Sequence, residues 1–334
     1  MTRIDRARGA LYGLAIGDAL GMPTQLLSRA EIAARYNGML TGFEPGPPDH
    51  PIAAGLPAGS VTDDTELAVL LGRLLVAGRG TLDPREFAAA LAAWEHTMAE
   101  RGSLDLLGPS TKRAVDAILA GVAPDEAGRH GDTNGAAMRI APVGIASRDA
   151  ATLVDDVVAA SRVTHNTGIA LAGAAAVAAA VRAGVHGAYV TEATTHAIVA
   201  ARQAAERGHW VAGADVAARI EWATVLVANR FEADAAEVIY TLVGTSLATQ
   251  ESIPAAFAVL AAVPDDPWRA CLLAASLGGD CDTIAAMAGA VAGACHGMAA
   301  FPAPAIAVID GQGLRLSQLA DQLYQLSHND DGAT

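Results

Sequence analysis

Apolar residues recur at helical spacing along most of the 334-residue chain. The clearest repeat follows Asp64, where leucines occupy positions 67, 70, 71, 74 and 75, as on one face of an amphipathic helix. Comparable spacing predicts further helices over residues 9–20, 84–100, 111–121, 150–162, 168–184, 191–207, 213–228, 234–247, 253–262, 267–277, 283–298 and 315–327. No alternating apolar and polar series, the pattern of a half-buried strand, interrupts them. The pattern predicts an all-α fold.

Composition agrees with helices rather than sheets. Hydrophobic residues make up 52% of the chain but aromatic residues only 4%, and much of the apolar fraction is alanine. Alanine favours closely packed helices, whereas a β-sandwich needs branched and aromatic side chains. Because no repeat, linker or shift in composition marks a boundary, we expect one compact domain over residues 1–327 and a disordered tail at 328–334.

The net charge and the cysteine content indicate which binding partners and which cellular compartment suit the protein. The net charge of −14 and the lack of a basic run argue against nucleic acid and anionic membranes as partners. Three cysteines cannot all pair within one chain, and none has the spacing of a zinc motif, so a reducing, cytoplasmic setting fits best. The longest apolar run, at 169–181, is shorter than the roughly 20 residues of a membrane span and is expected to form a buried core helix. The sequence leaves the oligomeric state open.

Two short acidic clusters, each directly before a predicted helix, are the main candidates for chemistry. Thr62-Asp63-Asp64 follows an irregular Gly- and Pro-rich segment at 41–60, and Asp280-Cys281-Asp282-Thr283 follows two glycines. Each cluster offers two carboxylates and a threonine hydroxyl, the oxygen ligands that Mg²⁺ and Mn²⁺ prefer, so together they could bind two cations. For either cluster alone, helix capping is the simpler interpretation. Asp63 with Glu66 even resembles a capping box.

Glycines in the helix after Asp282 favour the cation interpretation. Gly289, Gly293 and Gly297 repeat at every fourth position. Glycine costs roughly 1 kcal/mol relative to alanine inside a helix, so three in register indicate the close approach of a neighbouring element. Asp280 and Asp282 would then lie near the core, where a carboxylate without a partner is costly and a cation is a natural partner.

A third polar segment, Gly131 to Arg139, is either a plain turn or a ligand-binding loop. Gly and Asn allow a tight loop whose N–H groups point inward to hold an oxyanion, and Arg139 follows as a cation. Residue type alone favours the plain turn, since Asp, Asn and Gly dominate ordinary turns. His165, within Thr164-His165-Asn166-Thr167, is likewise more typical of a cap neighbour than of a ligand. Asp18 is a lone charge in an apolar helix, which indicates a function.

Together these segments resemble the ADP-ribosylglycohydrolase family, which includes the dinitrogenase-reductase-activating glycohydrolases. Five motifs occur in the family's order between about residues 8 and 297: Gly13-Leu14-Ala15-Ile16-Gly17-Asp18-Ala19-Leu20-Gly21, Thr62-Asp63-Asp64-Thr65, Asn134-Gly135-Ala136-Ala137-Met138-Arg139, Thr164-His165 and Gly279-Asp280-Cys281-Asp282-Thr283. Their joint occurrence is far more specific than any single motif. The resemblance implies a single compact, orthogonal all-α domain with a binuclear Mg²⁺ or Mn²⁺ centre.

The resemblance also implies an activity and a set of site residues. Members hydrolyse the C1″ glycosidic bond of ADP-ribose, so the expected substrate is an ADP-ribosyl or other ribosyl group on a small molecule or a modified protein. The implied metal ligands are Thr62, Asp63, Asp64, Asp280, Asp282 and Thr283. Catalytic roles are expected for Asp63, Asp64, Asp132 and Asp282. Substrate binding is expected for Asp18, Gln25, Gly131, Asp132, Thr133, Asn134, Gly135, Met138 and His165, while Asp18, Glu66 and Asp132 are candidates for supporting or acid–base roles.

One departure from the family pattern affects the expected chemistry. Gln25 occupies the position where many members have a glutamate that gates the cleft or helps to protonate the leaving group. A glutamine cannot exchange a proton, so either another carboxylate such as Asp132 takes that role or the leaving group needs no acid. Three alternatives stay open: a hydrolase for small nucleoside-like ribosyl substrates, a two-metal phosphoester hydrolase, and a non-catalytic structural relative.

Overall fold

A computed structural model describes residues 1–103 and 107–328, and these residues form seventeen α-helices. In chain order the helices are Arg3–Gly21 (α1), Arg29–Arg35 (α2), Asp63–Ala77 (α3), Pro84–Glu100 (α4), Pro109–Leu119 (α5), Pro124–Ala127 (α6), Ala141–Ala146 (α7), Leu153–Ser161 (α8), Gly168–Val185 (α9), Val190–Ala205 (α10), Val216–Val227 (α11), Glu232–Val238 (α12), Thr249–Ala262 (α13), Pro267–Ala275 (α14), Cys281–His296 (α15), Ala303–Gly311 (α16) and Leu316–Leu326 (α17). The β-bridges among the described residues are isolated, so the all-α prediction is confirmed. Most buried apolar side chains form one continuous core, and Leu27, Ile32 and Cys281 form a second, small cluster.

Every helix predicted from the sequence is present, but four short ones were missed. These are α2, α6, α7 and α16, which are 4 to 9 residues long and too short to show a clear apolar repeat. A capping box between Ser28 and Glu31 marks the start of α2 and could have located it. The expected disordered tail lies outside the described residues except for His328, which follows α17.

Several predicted helix bounds differ from the structure by two to six residues, and two of the predicted ends were placed beyond a glycine. The helix expected over 234–247 is α12 followed by a π turn at Ile239–Val243, and it stops at Gly244. The helix expected over 283–298 stops at His296, because Gly297 takes the left-handed region that favours glycine, at φ 78°. Gly297 therefore ends the helix, but it still lies against α1, because a Cβ atom on Gly9 would lie 2.8 Å from the Cα of Gly297.

Helices α1 and α15 pack backbone to backbone through their glycines. A Cβ atom added to Gly13 would lie 2.0 Å from the carbonyl oxygen of Gly289, and one added to Gly9 would lie 2.3 Å from that of Gly293. No real side chain tolerates such distances, so only glycine fits. The close approach predicted at Gly289 and Gly293 is confirmed, and the neighbouring element is α1.

The same contact continues to the polar end of both helices. A Cβ atom on Gly17 would lie 2.0 Å from the carbonyl oxygen of Ala285, and one on Gly21 would lie 2.2 Å from the Cα of Asp282. Asp18 lies between these two glycines on α1 and is fully buried. The glycine contact therefore fixes Asp18 and Asp282 at one end of a rigid helix pair.

The apolar run at 169–181 forms α9, a buried core helix as predicted. Alanine and valine side chains on all its faces are buried, and α9 packs against α10, α15 and α7. By length and composition alone α9 could cross a membrane, but 83% of it is buried inside the described fold. The small alanine side chains let these helices surround α9 closely.

Candidate active site

The two acidic clusters meet where α3 and α15 begin. Asp63 and Asp64 are the first two residues of α3, and Asp282 is the second residue of α15. The hydroxyl of Thr283 donates a hydrogen bond to Asp64 Oδ2 at 3.1 Å, so side chains that are 219 positions apart are in direct contact. The structure thus joins both clusters into one site at the N-termini of two helices, where the positive ends of the helix dipoles favour negative charge.

Asp18 holds the start of α3 in place. Its carboxylate accepts hydrogen bonds from the backbone N–H of Thr62 at 3.0 Å and of Thr65 at 3.1 Å, from the Thr62 hydroxyl at 2.8 Å, and from the Thr65 hydroxyl. Burial raises the pKa of Asp18 to about 6, although these hydrogen bonds act in the opposite direction. Because Asp18 is fully buried and bonded to protein groups, its position fits the supporting role, one of the two roles expected for it, better than a substrate contact.

Asp64 carries the strongest electrostatic signal of the site. Its side chain is buried, and its pKa is raised well above the usual range by burial and then by the charges of Asp282, Asp63, Asp18 and Asp280. Its Oδ1 atom is also buried and has no hydrogen-bond partner among the described residues. Asp64 is thus a buried acceptor surrounded by other carboxylates, and a bound cation would offset the repulsion between them.

Helix capping does not explain the acidic residues. Thr62 is the N-cap of α3, and its hydroxyl accepts from a backbone N–H in the first turn, so the capping box proposed for Asp63 and Glu66 is wrong. Glu66 instead accepts a hydrogen bond from Trp94 Nε1. Asp280 precedes α15 but makes no side-chain capping bond to it. Neither an Asp63–Glu66 capping box nor a side-chain cap from Asp280 therefore accounts for the two clusters.

The Gly131–Met138 segment reaches the acidic site through Asn134. The Asn134 amide donates to Asp280 Oδ2, and Asn134 itself is buried. The expectation that the loop N–H groups hold an oxyanion is wrong for two of them. The N–H of Gly131 donates to the Gly128 carbonyl, and that of Asn134 donates to the Leu247 carbonyl.

The remaining expected residues of this segment differ in exposure. Asp132 is exposed, Thr133 is partly exposed, and Gly135 and Met138 are buried. A Cβ atom on Gly135 would lie 3.0 Å from His165 Cε1, so the glycine lets the loop pack on the imidazole. Asn134, rather than Asp132, provides the side-chain contact of this loop with the acidic cluster.

His165 is a fully buried histidine with a partner on each ring nitrogen. Its Nε2 lies 2.9 Å from the Thr133 hydroxyl oxygen, and its Nδ1 lies 2.8 Å from that of Thr164. Burial lowers the pKa of His165 well below its usual value, and the positive charges of Arg139 and Arg113 lower it further. The ring is therefore neutral at physiological pH.

Gln25 is buried beside the second cluster. Its Nε2 atom has no hydrogen-bond partner among the described residues, and its side chain is 5% exposed. The Gln25 carbonyl accepts a hydrogen bond from His50 Nε2 at 2.8 Å, and the next N–H, of Leu26, donates to the carbonyl of Gly279 at 2.7 Å. Gln25 therefore has an unused amide donor, and the backbone beside it contacts the residue before Asp280.

Comparison with known proteins identifies the fold and the enzyme class. Residues 1–332 match the family model described as ADP-ribosylglycohydrolase. This chain belongs to the ADP-ribosylglycohydrolase family. It is accordingly a glycosylhydrolase, as the five sequence motifs indicated.

Individual members of the ADP-ribosylglycohydrolase family are similar over most of their length. The uncharacterised protein YegU of Escherichia coli (strain K12) is 37% identical over 302 residues, which cover 90% of each chain. The ADP-ribosylarginine hydrolase Tri1 of Pseudomonas putida (strain GB-1) is 30% identical over 90% of this chain and 72% of its own. A solved structure titled ADP-ribosylglycohydrolase-related protein complex superposes with a TM-score of 0.71 at 26% identity and covers 97% of this chain and 99% of its own. These similarities confirm the fold expected from the motifs.

Sequence reasoning missed two contributors to this ADP-ribosylglycohydrolase site. His50 anchors the irregular 41–60 segment to Gln25, but a lone histidine in a Gly- and Pro-rich stretch matches no motif. Thr65 was quoted within a motif without a role, although both its N–H and its hydroxyl donate to Asp18. A hydroxyl one helical turn after an N-cap is the signal that could have found it.

The neutral, buried state of His165 predicts a specific loss of stability in acid. The unfolded chain takes up a proton on this histidine near its ordinary pKa of 6.5, whereas the folded chain does so only at much lower pH. This contribution to the free energy of unfolding is fully present above that pKa and falls by up to about 1.4 kcal/mol per pH unit below it. Urea unfolding of wild type and His165→Asn between about pH 8 and pH 5 measures the effect. If the difference in the free energy of unfolding between the two proteins did not change with pH, the prediction would be contradicted.

Proposed function

We propose that this glycosylhydrolase cleaves the N-glycosidic bond between ADP-ribose and a guanidinium group, with two divalent cations, Mg²⁺ or Mn²⁺, bound between α3 and α15. The observation that carries the cation site is the contact of Asp64 with Thr283, which unites two carboxylate clusters around a buried acceptor. The family of this chain supports ribosyl hydrolysis as the reaction class.

The donor set fits hard cations. Within residues 1–103 and 107–328, no three His, Cys, Asp or Glu side chains form a metal-binding group by themselves, so the threonine hydroxyls have to complete the site. Thr62 gives its hydroxyl proton to Asp18 and accepts from the N–H of Asp64, which leaves one oxygen lone pair for a cation. Carboxylate and hydroxyl oxygens are the ligands that Mg²⁺ and Mn²⁺ prefer. The proposed ligands are Thr62, Asp63, Asp64, Asp280, Asp282 and Thr283.

The protein groups around this centre suit hydrolysis at a sugar carbon. Bound cations would supply positive charge that orients the ribose hydroxyls and lowers the pKa of the attacking water. Asp63 is partly exposed at the first position of α3, so it can accept the proton that this water releases.

Gln25 favours a guanidinium leaving group. A buried amide donates a hydrogen bond but no proton, so no acid is available at this position. A ribosylated guanidinium already carries a positive charge, so it departs as a neutral guanidine and takes a proton from water afterwards. In a serine-linked substrate the serine oxygen would depart as an alkoxide, so its departure needs an acid. The relative named ADP-ribosylarginine hydrolase Tri1 agrees with this choice.

Product analysis with matched peptides tests the proposal. The purified protein with Mg²⁺ or Mn²⁺ is expected to release free ADP-ribose from an ADP-ribosylarginine peptide at least about 100-fold faster than from an ADP-ribosylserine peptide, and chelation of the cation is expected to stop the reaction. Release of inorganic phosphate with the sugar bond intact, or hydrolysis of nucleosides alone, would contradict it. So would the absence of turnover with either cation.

Substitution of Gln25 tests the leaving-group argument separately. Gln25→Glu supplies an acid and is expected to raise the rate on the serine-linked peptide about tenfold or more, while the rate on the arginine-linked peptide changes less than about threefold. Gln25→Ala is the control, because it removes the amide without adding an acid, and is expected to leave the serine-linked rate low. Equal effects of both substitutions on the serine-linked peptide would contradict the argument.

A further inference from the structure

Arg139 is a fully buried cation to which the proposed reaction gives no role. Its Nη2 donates to the Thr164 hydroxyl oxygen at 2.5 Å, and its guanidinium lies 5.1 Å from the centre of the Phe87 ring. Its Nε and Nη1 atoms are buried without a hydrogen-bond partner among the described residues. Burial lowers the pKa of Arg139 to about 10, while the negative charge of Asp63 opposes this shift. Burying a charge with so few hydrogen-bond partners costs free energy, which indicates that Arg139 has a function.

The hydrogen bonds beyond Arg139 form a chain with a definite direction. A guanidinium only donates, so the Thr164 oxygen accepts from Arg139. The single Thr164 hydroxyl hydrogen then points to His165 Nδ1, 2.8 Å away, which makes Nδ1 an acceptor. In a neutral imidazole the proton is then on Nε2, which donates to the Thr133 hydroxyl oxygen at 2.9 Å. The chain runs from Arg139 through Thr164 and His165 to Thr133.

The opposite direction leaves a buried donor without a partner. If His165 Nδ1 donated to Thr164, that oxygen would accept two bonds, and its own hydrogen would have no acceptor among the described residues. Thr164 and His165 are both fully buried, so water could not replace the missing acceptor at low cost. The nearby positive charge of Arg139 also repels a hydroxyl hydrogen that points towards it.

The close packing of the ring maintains this alignment. A Cβ atom on Gly135 would lie 3.0 Å from His165 Cε1 and 3.2 Å from Nε2. A Cβ atom on Gly131 would lie 2.9 Å from the His165 Cα. Because both glycines lack a Cβ atom, the loop packs directly against His165. This packing fixes the distance between His165 Nε2 and Thr133.

We propose that Arg139 is a positioning residue which, through Thr164 and His165, orients the Thr133 hydroxyl as a hydrogen-bond donor to the ligand. The Thr133 oxygen already accepts from His165, so its own hydrogen points elsewhere, and the side chain is partly exposed. The next residue, Asn134, contacts Asp280, which places Thr133 beside the acidic site. A fixed donor there suits an oxygen acceptor such as a phosphoryl group. The identity of the ligand rests on the proposed function, whereas the tautomer of His165 does not.

Nitrogen-15 NMR of the histidine rings tests the chain directly, with His165→Asn used to assign the signal. Wild type is expected to show His165 protonated on Nε2 alone, and Thr164→Ser, which keeps the hydroxyl, is expected to match it. Thr164→Val removes the hydroxyl and is expected to give a mixture of tautomers. A wild-type ring protonated on Nδ1, or a Thr164→Val spectrum identical to that of wild type, would overturn the proposal.

The role of Arg139 itself is tested with a conservative pair. Arg139→Lys keeps a cation and a donor and is expected to retain the Nε2 tautomer, whereas Arg139→Met is expected to lose it. If Arg139→Met does not fold, the Arg139→Lys and Thr164→Val spectra still test whether the tautomer of His165 depends on this chain of hydrogen bonds. An Arg139→Lys ring with a mixed tautomer while Thr164→Val keeps the pure one would contradict the order of the chain.

Kinetics tests the positioning role. Thr164→Val and Thr133→Val are each expected to raise KM about tenfold and to change kcat less than about threefold, while Thr164→Ser and Thr133→Ser stay near wild type. An altered tautomer with an unchanged KM would overturn the positioning role. If no ADP-ribosyl peptide is hydrolysed at all, the proposed function fails, but the NMR result still decides the direction of the chain.

Discussion

Asp64→Asn is expected to lower the hydrolysis rate at least about 1,000-fold, roughly 4 kcal/mol of transition-state stabilisation, and Asp282→Asn is expected to do the same. Asparagine preserves shape and can still accept from Thr283, but it removes one negative charge from the buried centre. In chelator, the free energy of unfolding of Asp64→Asn is expected to rise, because the burial and repulsion that raise the pKa of Asp64 are relieved. Steady-state assays and urea unfolding measure the two effects.

A helix-capping carboxylate provides the matched control for this substitution. Asp215 is exposed and caps α11 by accepting from the N–H of Ala218 at 2.7 Å. Asparagine caps helices about as well as aspartate, so Asp215→Asn is expected to change stability by less than about 0.5 kcal/mol and to leave activity unchanged. If Asp64→Asn kept activity within about tenfold of wild type, the acidic clusters would not be the catalytic centre.

Gly13→Ala is expected to lower the free energy of unfolding by about 3 kcal/mol or more, and Gly289→Ala by a similar amount. Each new Cβ would lie 2.0 Å from the carbonyl oxygen of the other glycine, and neither backbone can move without separating α1 from α15. The double substitution is expected to cost less than the sum, because the first already parts the helices. Chemical unfolding followed by circular dichroism measures all three variants.

Gly311 is the control for the glycine substitutions. It ends α16, and a Cβ atom there would meet nothing within 4 Å. Gly311→Ala is therefore expected to change stability by less than about 1 kcal/mol. If Gly13→Ala unfolded at the same denaturant concentration as wild type, the close helix contact would be refuted.

The fold was largely predictable from the sequence, because the residue patterns that specify its helices are local or repeated along the chain. The apolar period located the long helices, and Gly289 and Gly293 indicated a close helix contact before its partner was known. The ends of α12 and α15 were misplaced because both depend on a single glycine, Gly244 or Gly297, that stops an otherwise continuous apolar pattern.

The site was only partly predictable because its key contacts join distant segments. The spacing of the two acidic clusters was explained by helix capping for either one alone; the family resemblance implied that they meet, and the Asp64–Thr283 contact shows how. The sequence left Asp18 between a substrate contact and a supporting role, because its bonds to the start of α3 cannot be seen from spacing. The direction of the Arg139–His165 chain likewise depends on which atoms meet, not on which residue types occur.

Anomalous X-ray scattering from crystals grown with Mn²⁺ tests the central claim most directly. The account predicts two manganese peaks per chain between the starts of α3 and α15, with Asp64 and Asp282 oxygens at about 2.0–2.2 Å, the range of small oxygen-bound divalent cations. A matched crystal of Asp64→Asn is expected to lose at least one peak. Wild-type crystals in Mn²⁺ with no peak near Asp64 and Asp282 would contradict the account.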